Sequence, residues 1–210
     1  MPTLNRKTTP SFREIEKIDI IRAEKTLLDN NIPVYTINAG TQDVIRVELL
    51  FHAGSWRQPA PSIASATCHL MNEGTSQMTA QQIAGKLDYY GAYLNLDSDK
   101  DIAGISLYTL NKFLPETLPV LEQIVKDAVY PQHELDIFIQ TQLQKFHVDN
   151  GKVQNLARKH FNTILFGKEH PYGVFLREEH LKNLERKSLS EFHRKWYASG
   201  NCSIVLSGRV

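Results

Sequence analysis

Apolar residues along this chain change their spacing in a set order, and that order limits the possible folds more than any other property of the sequence. Near the start the period is two. Val44-Ile-Arg-Val-Glu-Leu-Leu-Phe-His52 alternates as a half-buried strand does. Ahead of it, Glu24–Leu28 and Pro33–Ile37 flank Asp29-Asn30-Asn31, a cluster that tolerates positive φ and predicts a hairpin turn. Two further strands are expected at Ala92–Asp97 and Ile102–Leu110, joined by an acidic turn, and a last apolar strand at Asn201–Ser207. Helical spacing fills most of the interval. Strands therefore open and close the chain with helices clustered between them, which is an α+β order and not the alternation of a βαβ fold.

The helical segments carry their own signals. Ile63, Ala66, Leu70 and Met71 share one face, and Gly74 supplies a stop. Thr79-Ala-Gln-Gln82 has the form of a capping box, followed by Ile83, Leu87 and Tyr90 and closed by Gly91. Leu114, Leu118, Leu121, Val125 and Ala128 trace a long amphipathic stripe. Leu135, Ile139, Leu143 and Phe146 mark a further helix, and Val153, Ala157, Phe161 and Ile164 another. Gly167 to Gly173 reads as a loop, and Ser188 as the cap of a short helix ending at Trp196. Residues 1–16 are polar with two prolines and predict an extended arm, leaving 17–210 as one domain.

Composition narrows the function classes. With 24 basic and 23 acidic side chains, the chain lacks the basic excess that nucleic-acid binding demands. Its 41% hydrophobic content excludes global disorder. No window approaches the ~18 consecutive apolar residues of a membrane span, and no signal peptide is visible, so a cytoplasmic setting without a membrane partner is expected. Cys68 and Cys202 are too few for a disulfide scaffold and too distant for a Cys-x-x-Cys metal site.

Several side chains invite chemistry. Asp97, Asp99 and Asp101 alternate as in a calcium loop, but Ile102 and Tyr108 stand where that loop requires glycine and glutamate, so an acidic hairpin turn is expected. His133, His147, His160, His170, His180 and His193 lack metal-type i, i+4 partners and read as surface or loop residues. Cys68 and His69 are adjacent, yet neighbours on a helix point about 100° apart, so a thiol–imidazole dyad is not expected from them.

The stretch Phe51-His-Ala-Gly-Ser-Trp-Arg-Gln-Pro59, a helix, and then Asn72-Glu-Gly-Thr75 resembles the N-terminal domain of the pitrilysin/insulinase family, the inverted zinc peptidases that include mitochondrial processing peptidase. The likeness continues through Leu87-Asp-Tyr-Tyr-Gly-Ala-Tyr-Leu-Asn95, Asp149-Asn-Gly-Lys-Val153, Phe166-Gly-Lys-Glu-His-Pro-Tyr-Gly173 and Phe192-His-Arg-Lys-Trp-Tyr197, so it spans roughly residues 20 to 210. It implies the processing-peptidase-like metallohydrolase fold, a mixed and mainly antiparallel sheet packed against helices. It also implies that this is the first of two similar domains in a chain about twice as long.

The family's chemistry depends on His-x-x-Glu-His, in which two histidines hold zinc and the glutamate acts as general base. The matching positions here read Ser65-Ala-Thr-Cys68-His69, so only His69 survives. A third ligand, a glutamate some 70 to 80 residues downstream in the family, falls where this sequence has Gln140, Gln142 and Gln144; Ile137 to Val148 contains no carboxylate. The resemblance therefore implies a catalytically inactive homologue with no metal of its own. Such a homologue forms half of a substrate chamber beside an active family partner that carries the zinc, as a heterodimer acting on a peptide substrate. Asn95, on the strand along which family members add a peptide, is the position carried over as a peptide contact. Two alternatives stay open: an active zinc peptidase with unconventional ligands built on His69, and a scaffold subunit with no peptidase partner.

Overall fold

The computed structural model describes Glu14 and residues 20–209, so the arm expected over 1–16 lies, apart from Glu14, outside the described residues. Six strands form one sheet. They are β1 (Glu24–Leu27), β2 (Pro33–Asn38), β3 (Val44–Phe51), β4 (Tyr93–Ser98), β5 (Ala103–Leu110) and β6 (Cys202–Gly208), in the spatial order β1-β2-β6-β3-β5-β4. Every neighbouring pair is antiparallel except β2–β6. The expected hairpin joins β1 and β2, with Asn31 at φ 63° in its turn. The closing strand β6 lies between β2 and β3, at the centre of the sheet.

Register divides the sheet into two faces. Leu206, Val47, Leu107 and Leu94 align across four strands, as do Ile204, Leu49, Ile105 and Leu96. These rows face the helices, and Val47, Ile105 and Leu107 are almost wholly buried. The opposite face carries Glu48, Ser106 and Asn95 in one row, with Arg46 Nη2 bonding Glu48 Oε1 at 2.5 Å and Ser106 Oγ at 3.2 Å.

Seven α-helices are described: α1 (Ile63–His69), α2 (Ala80–Tyr89), α3 (Leu114–Lys126), α4 (Gln132–Asn150), α5 (Val153–Phe166), α6 (Glu178–Lys182) and α7 (Arg186–Trp196). Ile63, Ala66, Leu87, Leu121, Ile124, Leu135, Leu189 and Phe192 from these helices join the sheet residues in one core. The capping box at the start of α2 forms as the sequence predicts, Gln82 N donating to Thr79 Oγ1 and Thr79 N to Gln82 Oε1. No helix among the described residues is long and apolar enough to cross a membrane.

Two expectations change, and one short helix is added that the sequence did not signal. Ser188 does not cap α7, which begins at Arg186, because burial of Leu189 and Phe192 sets the helix start. Helix α6 has only five residues, too few to show a period, and is held by the buried Leu181. Helix α5 forms where predicted, yet it is inverted. Its partly buried positions include Asn155, Lys159, Asn162 and Thr163, whereas Val153, Phe161 and Ile164 are 80%, 62% and 84% exposed.

Candidate functional site

Helix α1 runs beside β4, the edge strand. Its first turn is fixed from outside, where Gln58 Oε1 accepts from Ala64 N at 3.1 Å. The chain enters this region through residues 54–57, which are tied to the β4–β5 turn by three backbone bonds. Gly54 N donates to Asp101 O (3.2 Å), Ser55 N to Asp99 O (3.0 Å) and Trp56 N to Lys100 O (2.7 Å). The acidic turn expected at Asp97, Asp99 and Asp101 is thus a structural joint. Its side chains add to this, since Tyr172 Oη donates to the Asp101 carboxylate at 2.6 Å while Lys100 Nζ sits 4.4 Å from the Tyr172 ring centre. Trp56, His170 and Phe166 pack around Tyr172, so the Phe166–Gly173 segment locks the same joint.

The motif positions separate by direction. Ser65 and His69, one turn apart, lie on the outer side of α1, with Ser65 half-buried and His69 exposed. His69 Nδ1 is 2.8 Å from the Ser65 carbonyl oxygen and 3.4 Å from Ser65 Oγ, so one ring nitrogen is turned back onto the helix itself. Cys68 points inward and is 0% exposed. Its thiol donates to the Asp97 carbonyl at 3.3 Å, fastening α1 to the edge strand, and burial pushes its pKa up to about 12. A thiol held protonated in this way is neither a metal ligand nor a nucleophile at neutral pH.

Two tyrosines stand behind that thiol. Burial raises the pKa of both Tyr130 and Tyr197, and the nearby thiol adds to each shift. The Tyr197 hydroxyl approaches the thiol without completing hydrogen-bond geometry, and neither hydroxyl has a protein partner among the described residues. His193 completes the wall and corrects the surface reading made for it. It is half-buried on α7, its Nε2 2.8 Å from the Val125 carbonyl oxygen, and burial lowers its pKa. The cause is the packing of α7 against the core through Leu189 and Phe192, which carries the next residue inward.

These residues do not fit a zinc ion. A catalytic zinc takes three protein ligands and keeps one position open. Here one imidazole faces out with a serine beside it, and the thiol is turned away. On α4, Gln140 and Gln144 are exposed and Gln142 is half-buried. Among the described residues no three His, Cys, Asp or Glu side chains are grouped to hold a metal.

Asn95 lies exposed on the edge strand β4, opposite Ser106 of β5, and among the described residues no strand pairs with the outer side of β4. Sequence reasoning missed a second feature of this edge. A groove between α2, the 71–73 turn and the start of β4 is lined by Glu73 and Asp88. Glu73 was visible within Asn72-Glu-Gly-Thr75, but no spacing rule joins it to Asp88 on another element, so only the fold reveals the pair.

No family model matches the sequence. The chain is 22% identical over 217 aligned residues to ubiquinol-cytochrome-c reductase complex core protein I, mitochondrial, of Euglena gracilis, covering all of this chain and 43% of that protein. Among solved structures it is similar to the peptidase M16 inactive domain from Pseudomonas fluorescens, at 25% identity and TM-score 0.84, over 90% of this chain and 47% of that one. It is also similar in fold to a protease from Helicobacter pylori, at 19% identity and TM-score 0.81, over 91% and 47%. The chain thus spans less than half the length of each of these relatives. In fold, this chain is similar to solved M16 peptidase domains, and it resembles the N-terminal domain of the pitrilysin/insulinase family with a degenerate zinc motif.

Proposed function

We propose that this domain is the non-catalytic member of a peptidase pair. It forms one wall of a chamber, presents the β4 edge to an extended peptide, and leaves hydrolysis to a partner domain or subunit with an intact His-x-x-Glu-His. One observation carries the reading: the helix that would hold the metal has lost its ligands, while the strand edge beside it stays unpaired, with Asn95 exposed along it. A free edge pairs with peptides through backbone groups and needs no metal to do so. The inactive M16 domain from Pseudomonas fluorescens, similar over nine-tenths of this chain, supports the same reading. A cytoplasmic location and a second, similar domain in the native protein belong to this proposal.

Metal analysis and activity give the test. The purified protein is expected to hold zinc well below one equivalent and to leave quenched-fluorescence peptides uncut. Added to an active homologue, it is expected to raise that homologue's turnover. Stoichiometric zinc that disappears in His69→Ala would overturn the proposal in favour of an active enzyme with unconventional ligands. The similarity to a ubiquinol-cytochrome-c reductase complex core protein, over all of this chain and 43% of that protein, favours a second reading, a scaffold subunit. Purification from native membranes within a large complex, with no peptidase homologue present, would select it.

A further inference from the structure

Beside the outer edge of β4, two carboxylates have no counter-charge among the described residues. The groove there has a volume of about 440 Å³, a floor that includes Ile83, Leu87 and Leu94, and Glu73 and Asp88 in its lining. Among the described residues, no Lys, Arg or His lines it. Neither carboxylate enters an ion pair among the described residues. Asn72, whose Oδ1 is buried with no protein partner, belongs to the same lining. An apolar floor with acceptors around it matches a side chain that has a long hydrocarbon stem and a cationic tip.

We propose that this groove receives a lysine or arginine side chain from an extended peptide laid along the outer edge of β4. The inference rests on the edge-strand reading above and adds the class of side chain selected. Register supplies the geometry. In a strand added to β4, the residue opposite Leu94 projects to the same face as Leu94, the helix side, where the groove lies. Its two neighbours project to the open face, toward Asn95.

The state of Glu73 supports a site awaiting a cation. Its carboxyl is half-buried, and its pKa is raised first by burial and then by the charge of Glu134. A carboxyl whose folded pKa lies above its unfolded value favours folding fully below the unfolded pKa. That contribution is lost as pH rises through the folded pKa, so at neutral pH the ionised Glu73 lowers stability. Glu73→Gln is therefore expected to raise the melting temperature at pH 7, with the gain disappearing near pH 4. A bound cation would relieve the same cost in the wild-type protein.

Fluorescein-labelled ten-residue peptides of alternating Thr and Ala, with one central Lys, norleucine or Glu, provide the probe, read by anisotropy on the 210-residue chain. The Lys peptide is expected to bind about tenfold more tightly than the norleucine peptide, as one charge-assisted contact allows. The Glu peptide is expected to bind most weakly. Glu73→Gln with Asp88→Asn should bring all three together, and Glu73→Lys should reverse the order. Ser98→Pro, which removes an N–H that points outward from β4, should weaken all three equally. Equal affinities in the wild type, with Ser98→Pro still weakening binding, would overturn the groove assignment and leave the edge reading standing. A preference that survives loss of both carboxylates would overturn it as well. Failure of every peptide to bind would remove the edge reading and this inference together.

Discussion

Cys68→Glu, which restores the family's general base in place, is expected to destabilise the domain by about 3–5 kcal/mol, as an uncompensated buried charge does. Residue 68 is 0% exposed, and its surroundings among the described residues are the Asp97 carbonyl and the two buried tyrosines, with no cation beside it. A carboxylate there would lose the thiol's hydrogen bond, face a carbonyl oxygen that repels it, and need more room than the thiol occupies. For a domain of this size the loss corresponds to roughly 10 °C in melting temperature. Adding Ser65→His and excess zinc is expected to recover little of it, because α4 offers glutamines where a third ligand is required. Thermal unfolding with and without zinc checks both points. A zinc-dependent recovery of most of the loss would show that the inherited metal geometry persists. It would also show that Cys68 is not simply a fastener between α1 and β4.

Gly54→Val is expected to cost about 3 kcal/mol, at the upper end of overpacking effects, read as a lower urea midpoint with unchanged slope. A Cβ on Gly54 would fall within 2.5 Å of the Asp101 backbone. Neither segment can retreat, since the three backbone bonds from residues 54–56 to the β4–β5 turn fix their separation. The Trp56–Tyr172–His170 packing would be disturbed with it. Gly85→Ala gives the opposite sign. Gly85 is an exposed residue inside α2, and its Cβ would meet nothing within 4 Å, so helix propensity should raise stability by up to about 1 kcal/mol. Two glycine substitutions of opposite sign separate close approach from backbone freedom.

What could be read from the sequence was local. The Asn31 turn, the Thr79–Gln82 box and the β4–β5 pair are each specified by residues close together in the chain. The decay of the metal motif was also legible, because ligands on one helix keep fixed spacing. Pairing of β6 between β2 and β3 was not, since nothing in Ile204–Leu206 names Val34 or Leu49 as neighbours. The same holds for the burial of His193, decided by how α7 packs on the core and places it against the Val125 carbonyl, and for the groove formed by Glu73 and Asp88. Sequence periodicity found α5 but could not tell which side of it would face the protein.

That orientation has an energetic consequence. Helix α5 is tied on by polar contacts, among them Thr163 Oγ1 to Gly173 O at 2.6 Å, Lys159 Nζ to Asn150 Oδ1 at 2.6 Å and Asn155 Nδ2 to Asp149 Oδ1 at 3.2 Å. It contributes no fully buried residue. Lifting it away would uncover little apolar surface, and the sensitivity of an opening to denaturant scales with the surface it uncovers. The helix is therefore expected to behave as a separate cooperative unit, its amides exchanging with solvent through small fluctuations that urea hardly affects. The central strands β3, β5 and β6, by contrast, are expected to release their inner amides only when the core opens.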